Sequence, residues 1–154
     1  MTRPPLFMAI AAILSACGGQ APPPETPPPS NDDPVTYAVA LRFEDAGTDG
    51  DETPHTAVSL VRIAPDGQRR VVSLREETGA CFADVASGAM LAGRCWWAGF
   101  GARYEVRREA DAVVAYRADQ DEEAADSPFV EVGRFELDRD ADVEVLTPGR
   151  SARD

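Results

Sequence analysis

Large apolar residues alternate with small or polar ones in the stretch of chain that follows residue 34. From Val35 to Phe43 every second side chain is large and apolar, a period that is typical of a half-buried β-strand. Similar apolar stretches, separated by turn residues, cover 57–63, 70–75, 90–97, 102–108, 112–118, 129–137 and 142–146. About eight short strands with a turn roughly every 8 to 12 residues predict a mostly β fold, either a small antiparallel β-sandwich or a meander barrel.

Two stretches depart from simple alternation. Between residues 129 and 137 the apolar positions change parity, from Val130 and Val132 to Phe135 and Leu137. A β-bulge at Gly133 would absorb this change, because one extra residue restores the inward direction. The small residues from 83 to 89 have no strand period, and we expect at most one or two helical turns there.

The chain begins with a short, uncharged apolar run. After Arg3, the residues from Leu6 to Leu14 carry no charge. As a helix this run would span about 14 Å, which is too short for a hydrocarbon core of about 30 Å. It has the length of the hydrophobic region of a signal peptide, and small residues follow it. The sequence therefore predicts an exported protein.

The tetrapeptide Leu14-Ser15-Ala16-Cys17 resembles the lipobox of bacterial lipoproteins. The resemblance covers only residues 1–17. It implies that residues 1–16 are a signal peptide that is removed, that the Cys17 thiol carries diacylglycerol, and that the new amino terminus is acylated, for example with palmitate. The alternative is an ordinary secretory signal with a chance cysteine near its end.

Residues 18–34, GGQAPPPETPPPSNDDP, contain no large apolar side chain. Such a segment cannot offset its loss of conformational entropy by burial, so it should stay unfolded. We predict a lipidated Cys17 with a Pro-rich disordered linker over 17–34, a β domain over 35–147 and a disordered tail over 148–154. A docking motif for a proline-binding module is the alternative for the linker. In lipoproteins, Gly18 after the cysteine favours the outer membrane of a cell that has one.

Charge and composition exclude several classes of function. The formal net charge is −12, which argues against a nucleic-acid partner because phosphate contacts require a basic face. All 15 basic residues are arginine, so a lysine nucleophile and a P-loop are excluded. The single histidine, His55, excludes a multi-histidine metal site. We predict no metal and no cofactor.

The chain has three cysteines, an odd number for an exported protein. If Cys17 is lipidated, Cys81 and Cys95 remain as a pair. A disulfide between them would close a loop of about 15 residues and contribute roughly 3 kcal/mol in the chain-entropy model. Two buried free thiols or a metal pair are the alternatives, and both fit an oxidising compartment less well.

His55 is the one candidate imidazole base. A catalytic triad would have to combine it with Ser59, Ser73, Ser87 or Ser127, and none of these lies in a G-x-S-x-G elbow. Pro54 and Thr56 place the histidine in a loop, where solvent exposure is the default.

Two acidic runs invite a chemical interpretation. Loop 45–52 has carboxylates spaced in part like those of an EF-hand, but Gly47 and Thr56 stand where two ligands belong. We therefore favour a solvated hairpin loop. The acids between residues 119 and 126 could act as a carboxylate pair only if they were held across a cleft, and a solvated loop is favoured there too.

Four aromatic residues form the most interesting cluster: Trp96, Trp97, Phe100 and Tyr104. Adjacent residues of a strand face opposite ways, so one indole should enter the core and the other should reach the opposite face. An exposed indole beside Phe100 or Tyr104 could contact a carbohydrate or a peptide. Core packing, or cover for the disulfide, is the alternative interpretation.

These observations predict a lipid-anchored protein of the cell envelope with one small β domain. Its expected role is non-enzymatic, in binding or in envelope structure, with the membrane as one partner through the anchor and an envelope protein or glycan as another. The alternatives are a hydrolase that acts on envelope polymers through paired carboxylates, and a small-ligand carrier. The hydrolase would need two acids of unequal pKa at one cleft, and the carrier an unfilled barrel interior.

Overall fold

The computed structural model describes residues 34–123 and 127–146, and within them it contains nine β-strands and no α-helix. The strands are β1 (Thr36–Thr48), β2 (Pro54–Ile63), β3 (Arg69–Thr78), β4 (Ala80–Asp84), β5 (Leu91–Trp97), β6 (Phe100–Glu109), β7 (Ala112–Asp121), β8 (Val130–Glu136) and β9 (Asp142–Val145).

The strands form two sheets. Sheet A has four strands in the order β3-β2-β1-β9, and sheet B has five in the order β4-β5-β6-β7-β8. All neighbouring strands are antiparallel except β1 and β9, which pair in parallel. The inner sides of both sheets contribute to one buried cluster, so the sheets pack face to face as a β-sandwich. The prediction of a mostly β fold is confirmed, with nine strands in place of about eight.

The core follows from strand alternation. Val39 and Leu41 of β1 and Leu60 of β2 are almost completely buried, and Val106 and Val113 of sheet B meet them from the other side. Each such side chain contributes about 1.5–3 kcal/mol when it is fully buried. Apolar burial on the two facing sides therefore holds the sheets together.

The structure corrects the prediction for the beginning of β1. Tyr37, Val39 and Leu41 are buried as expected, and Phe43 packs partly buried against the core. Val35, however, is 40% exposed and precedes the first residue of the strand. The inward row therefore starts one alternation later than the sequence predicts.

Strand β4 was not predicted from the sequence, and its last two residues lie in the segment 83–89. No helix forms in that segment, which is within the limit of one or two helical turns that we expected. Residues 80–84 pair antiparallel with β5, although Phe82 is their one large apolar side chain and no alternation of such residues marks the strand. Cys81 lies directly opposite Cys95, with their Cα atoms 4.0 Å apart and their sulfur atoms at disulfide-bonding distance. The predicted cysteine pair is confirmed, and the cross-link holds β4 against the sheet.

A β-bulge in β8 confirms the predicted change of parity. Ala115 of β7 pairs with Gly133, whereas the next residue, Tyr116, pairs with Glu131. Val132 is therefore the extra residue, one position before the predicted one. A Cβ at Gly133 would lie 2.5 Å from a methyl carbon of Leu74 in the other sheet, so a larger residue here would force the Leu74 side chain to move.

Several predictions concern residues outside the described part of the chain. These are the signal peptide over 1–16, lipidated Cys17, the linker as far as residue 33 and the tail over 148–154. Among the residues that the structure describes, no helix has the length and apolar character needed to cross a membrane.

Candidate functional site

A cleft of about 440 Å³ opens where the end of β3 meets the start of β6 and the end of β7. It is lined by residues 75–78 of β3, by Phe100 and Gly101 of β6, by Arg117 and residues 119–121 of β7, and by Ser127. Sites for small molecules in proteins commonly have volumes of about 300–1,000 Å³. The cleft therefore has the size of a small-molecule site, with a lining that is mostly polar.

Glu77 lies at the floor of the cleft because β3 contains a bulge. The register between β2 and β3 shifts by one residue at Leu74. Without that extra residue, Glu76 would follow Val72 and Leu74 towards the core. With it, Glu77 turns inward and is 7% exposed, whereas the Glu76 side chain stays in solvent.

Arg117 reaches the same point from the opposite sheet. In β7, Val113 and Ala115 belong to the core, and Arg117 has the same inward parity. Its Nε donates a hydrogen bond to Glu77 Oε1 at 2.5 Å, and its Nη2 donates to Oε2 at 3.1 Å. The two side chains are only 9% and 8% exposed. They form a two-pronged ion pair that is almost completely removed from water.

Tyr104 completes the buried group. Its ring is in the core, and its hydroxyl donates a hydrogen bond to Glu77 Oε1 at 2.5 Å. Burial raises the pKa of this hydroxyl well above its ordinary value, and the hydrogen bond and negative charge of Glu77 raise it further. Glu77 thus accepts hydrogen bonds on both oxygens, and Arg117 uses its remaining nitrogen, Nη1, to bind Asp119 Oδ1 at 2.5 Å.

The mouth of the cleft is acidic and has one aromatic wall. Beyond the buried pair, its charged side chains are the carboxylates of Glu76, Asp119 and Asp121 and the guanidinium of Arg75. The Asp119 side chain is 69% exposed and Phe100 is 48% exposed. The mouth therefore attracts cations and offers an apolar ring beside its carboxylates.

The structure separates the four aromatic residues that the sequence predicts as ligand contacts. Trp96 points to the outer face of sheet B, because its neighbour Cys95 faces the core. Trp97 and Phe100 lie opposite each other at the β5–β6 turn, and both are partly exposed. Tyr104 is 1% exposed, which agrees with the alternative of core packing that the sequence also offered. Only Phe100 of this group lines the cleft.

His55 lies in β2, not in a loop, and its ring lies between two carboxylates. Its Nε2 is 3.4 Å from Asp49 Oδ2, and its Nδ1 is 3.4 Å from Glu76 Oε1. Asp49 Oδ1 in turn accepts hydrogen bonds from the backbone N–H groups of Asp51 and Thr53 at 2.9 and 3.1 Å. These bonds lower the pKa of Asp49. The acidic loop thus uses a carboxylate to hold its own backbone.

The acidic run after residue 118 differs from its prediction as a solvated loop. Asp119 and Asp121 belong to β7 and line the cleft, because the strand extends to Asp121. The last acid of the run, Asp126, lies outside the described residues. Across residues 34–123 and 127–146, no three acidic, cysteine or histidine side chains converge as metal ligands.

Sequence reasoning missed Glu77 and Arg117, the two residues at the floor. Arg117 could have been noticed in the sequence, because it is a charged residue at an inward position of an otherwise apolar strand. Glu77 could not, since the direction of its side chain depends on the bulge at Leu74. Together these side chains supply a fixed, polar floor below an acidic mouth. No protein-family model, curated protein or solved structure matches the chain.

Proposed function

We propose that this protein is a lipid-anchored, exported binding module that catalyses no reaction, and that its ligand occupies the cleft above Glu77 and Arg117. The resemblance of Leu14–Cys17 to a lipobox supports the anchor, since two or three acyl chains hold a protein firmly at a membrane. The size and polarity of the cleft support the binding role.

The observation that carries the proposal is the burial of an ion pair at the floor of an open cleft. Removing two charges from water costs several kcal/mol for each ion, and apolar residues of similar volume often hold a core as well or better. Packing alone therefore does not explain why a charged pair, Glu77 and Arg117, occupies this position. Its hydrogen bonds fix the position of Asp119, whose exposed carboxylate stands at the mouth.

The ligand that fits this cleft is a small polar molecule with a cationic group. Asp119 and Asp121 would attract the cation, and the exposed ring of Phe100 would contact its apolar part. Arg75, the one guanidinium at the mouth, would disfavour a second positive charge nearby. An organic monocation of modest size is the chemical class that we propose.

The hydrogen bonds of Glu77 favour a binding function over a hydrolytic one. A glycoside hydrolase needs one carboxyl group that can donate a proton and a second that faces it across the substrate. Both oxygens of Glu77 already accept hydrogen bonds from Arg117 and Tyr104. The carrier alternative requires an unfilled interior, whereas core side chains occupy the space between the sheets.

Thermal unfolding of the full-length protein in detergent tests the ligand class. A ligand that binds the native state raises the melting temperature by mass action. We expect glucosamine and short monoamines to raise it in a saturable way, and glucose and glucuronate to leave it unchanged. Asp119→Asn and Phe100→Ala should weaken the response, and Asp140→Asn, on the exposed turn before β9, is the matched control. An equal response of Asp119→Asn and Asp140→Asn would exclude this cleft as the site.

The anchor needs its own test, because it rests on the sequence alone. Cys17→Ser should abolish lipid attachment and leave the precursor unprocessed. Mass spectrometry of protein isolated from a bacterial membrane measures both effects. An unmodified Cys17 in the wild-type protein would contradict the anchor and leave the cleft proposal standing.

A further inference from the structure

A second concave surface lies at the end of β9, away from the cleft. A groove of about 190 Å³ opens there between β1, β9 and the connection from β4 to β5. We call it the side groove, and its large apolar lining residues are Leu41, Phe43, Val85, Met90, Leu91 and Val145. It shares no residue with the cleft.

The backbone of β9 is paired on one side. The N–H groups of Asp142 and Leu146 donate hydrogen bonds to the carbonyl oxygens of Val35 and Val39, at 2.8 and 2.9 Å. Because the direction of the N–H groups alternates along a strand, the intervening Val143 and Val145 direct theirs to the other side of β9. In the described part of the chain, no strand pairs with that side. The N–H and C=O groups beside the side groove therefore form an edge that another strand can extend.

Two other edge strands of the sandwich differ from β9. β3, at the opposite end of sheet A, and β8, at one end of sheet B, each contain a bulge. A bulge in an edge strand hinders the addition of another chain. β9 pairs with β1 in unbroken register over all four of its residues. The edge beside the side groove is therefore a regular strand without this protection.

The side groove supplies the apolar contacts that a short edge needs. Val143 packs against the core and Val145 lines the groove, so the residues that offer their backbone to a partner have inward side chains. In an antiparallel pair, directly opposite residues share a face of the sheet, so a strand added to β9 would place alternate side chains beside Val145. Val85, on the wall of the groove, is 95% exposed. Covering it with apolar groups favours binding.

The charge around this edge is negative. Asp142 and Glu144 occupy exposed positions of β9. Asp84 is the only charged residue in the lining of the groove, and its carboxylate lies 3.3 Å from Arg94. The two β9 carboxylates are therefore the charges that a partner strand would meet first. They favour a chain that carries arginine or lysine beside its apolar residues.

We infer that the outer edge of β9 and the side groove bind an extended segment of another polypeptide, in which apolar side chains alternate and basic residues flank them. The segment joins sheet A as its next strand, antiparallel to β9. In this mode of recognition, main-chain hydrogen bonds give affinity and pockets for alternate side chains give specificity. Residues 147–154 of the chain itself, TPGRSARD, do not have the composition of this ligand, because they include no large apolar residue.

Synthetic peptides test this mode of binding. The parent peptide alternates three valines with two threonines between terminal arginines. In an antiparallel strand whose valines enter the groove, the valine N–H groups face β9 and the threonine N–H groups face away. N-methylation of the valines should therefore abolish binding, and N-methylation of the threonines should preserve it. Replacing the terminal arginines by glutamates should weaken binding at low salt.

Fluorescence polarisation of labelled peptides measures these affinities. The full-length protein is held in lipid nanodiscs, so that no free detergent competes for the groove. Hydrogen exchange followed by NMR locates the contact, because binding of the parent peptide should slow exchange of the Val143 and Val145 amides.

Exposed valines provide matched substitutions. Val145→Thr and Val85→Thr should each weaken binding of the parent peptide about fivefold or more, because each places a hydroxyl in an apolar contact. Val71→Thr on β3 and Val130→Thr on β8 are the controls, since these valines are also exposed, at 52% and 56%, and lie outside the groove. Both should bind the peptide like the wild type.

Four results would overturn the proposal. They are no binding of the parent peptide, equal binding of the parent and both methylated peptides, equal binding of the peptide with terminal glutamates, and a control variant as weak as Val145→Thr. The second would assign the groove to apolar chains in general. Asp119→Asn should leave peptide binding unchanged, so failure of the cleft proposal and failure of the edge proposal can be told apart.

Discussion

Two arginine–carboxylate pairs in this molecule share one chemistry and differ in their surroundings. Arg117 donates two hydrogen bonds to the Glu77 carboxylate, at 2.5 and 3.1 Å. Arg134 donates two hydrogen bonds to the Glu131 carboxylate, both at 2.8 Å. The side chains of the first pair are 9% and 8% exposed, whereas those of the second are 44% and 40% exposed. Contact geometry alone would rank the two pairs as equals.

Burial makes the energetic difference between them. Water and salt screen an exposed pair, and ordering two long side chains offsets most of the remaining attraction. A buried pair gains strong attraction but has lost the hydration of both charges, so each partner depends on the other. Removing one partner should therefore be costly at the cleft floor and almost without effect on β8.

The largest effect is expected for Glu77→Ala. It leaves the Arg117 guanidinium buried, with Asp119 as the remaining carboxylate partner. Breaking a buried pair in this way costs about 3–5 kcal/mol of unfolding free energy. Denaturation by urea, followed by circular dichroism, measures the loss. A change as small as that of an exposed carboxylate would mean that water reaches the pair.

The double variant Glu77→Leu/Arg117→Met sharpens the comparison. It replaces both charges by apolar groups of similar size, which removes the desolvation penalty with the attraction. Such replacements are often neutral or stabilising. We expect it to recover part of the stability lost in Glu77→Ala, because the charges are gone but the buried Tyr104 hydroxyl has lost its acceptor, while the ligand response of the cleft disappears. A double variant as unstable as Glu77→Ala would show that the charges are needed for packing.

Tyr104→Phe should have an intermediate effect. The hydroxyl donates to a buried carboxylate, and a hydrogen bond to a charged group contributes about 1.5–3 kcal/mol. Tyr116, whose hydroxyl donates to Glu109 on the exposed face, is the matched control. Tyr116→Phe should change the unfolding free energy much less. Equal effects of the two variants would contradict the importance of burial.

The same hydroxyl predicts a dependence on alkaline pH. Because the folded-state pKa of Tyr104 is raised above the ordinary 10.0, its contribution is fully present below pH 10 and is lost as the pH rises towards the folded value. The stability difference between wild type and Tyr104→Phe should stay constant up to about pH 10 and shrink above it. Urea denaturation at a series of pH values measures this difference. If the stability difference between the two proteins grew above pH 10, the pKa of Tyr104 would have to be lowered by folding, not raised.

The sequence predicts the parts of this molecule that depend on local alternation. The inward row of β1 and the parity change near Gly133 follow from apolar spacing, and the pairing of Cys81 with Cys95 follows from counting cysteines. Strand β4 could not be predicted, because residues 80–84 contain a single large apolar side chain, Phe82, and obtain their direction from the neighbouring β5. The same holds for the cleft floor, where one extra residue in β3 decides that Glu77, and not Glu76, faces inward.

The smallest effect is expected for Glu131→Ala, and it is the most exacting test of the comparison. Its hydrogen bonds from Arg134 lower the pKa of Glu131, which by itself would indicate a stabilising contact. Both side chains are nevertheless open to solvent, and Glu136 offers Arg134 a second carboxylate at 3.5 Å. The guanidinium thus keeps a partner and its hydration when Glu131 is removed. We expect no measurable change in melting temperature at physiological salt, with Glu44→Ala, an exposed acid of sheet A, as the matched control. A clear loss of melting temperature in Glu131→Ala, but not in Glu44→Ala, would mean that a two-pronged ion pair stabilises this sheet even when it is exposed to water. The conclusion that burial decides the energy of such a pair would then be wrong.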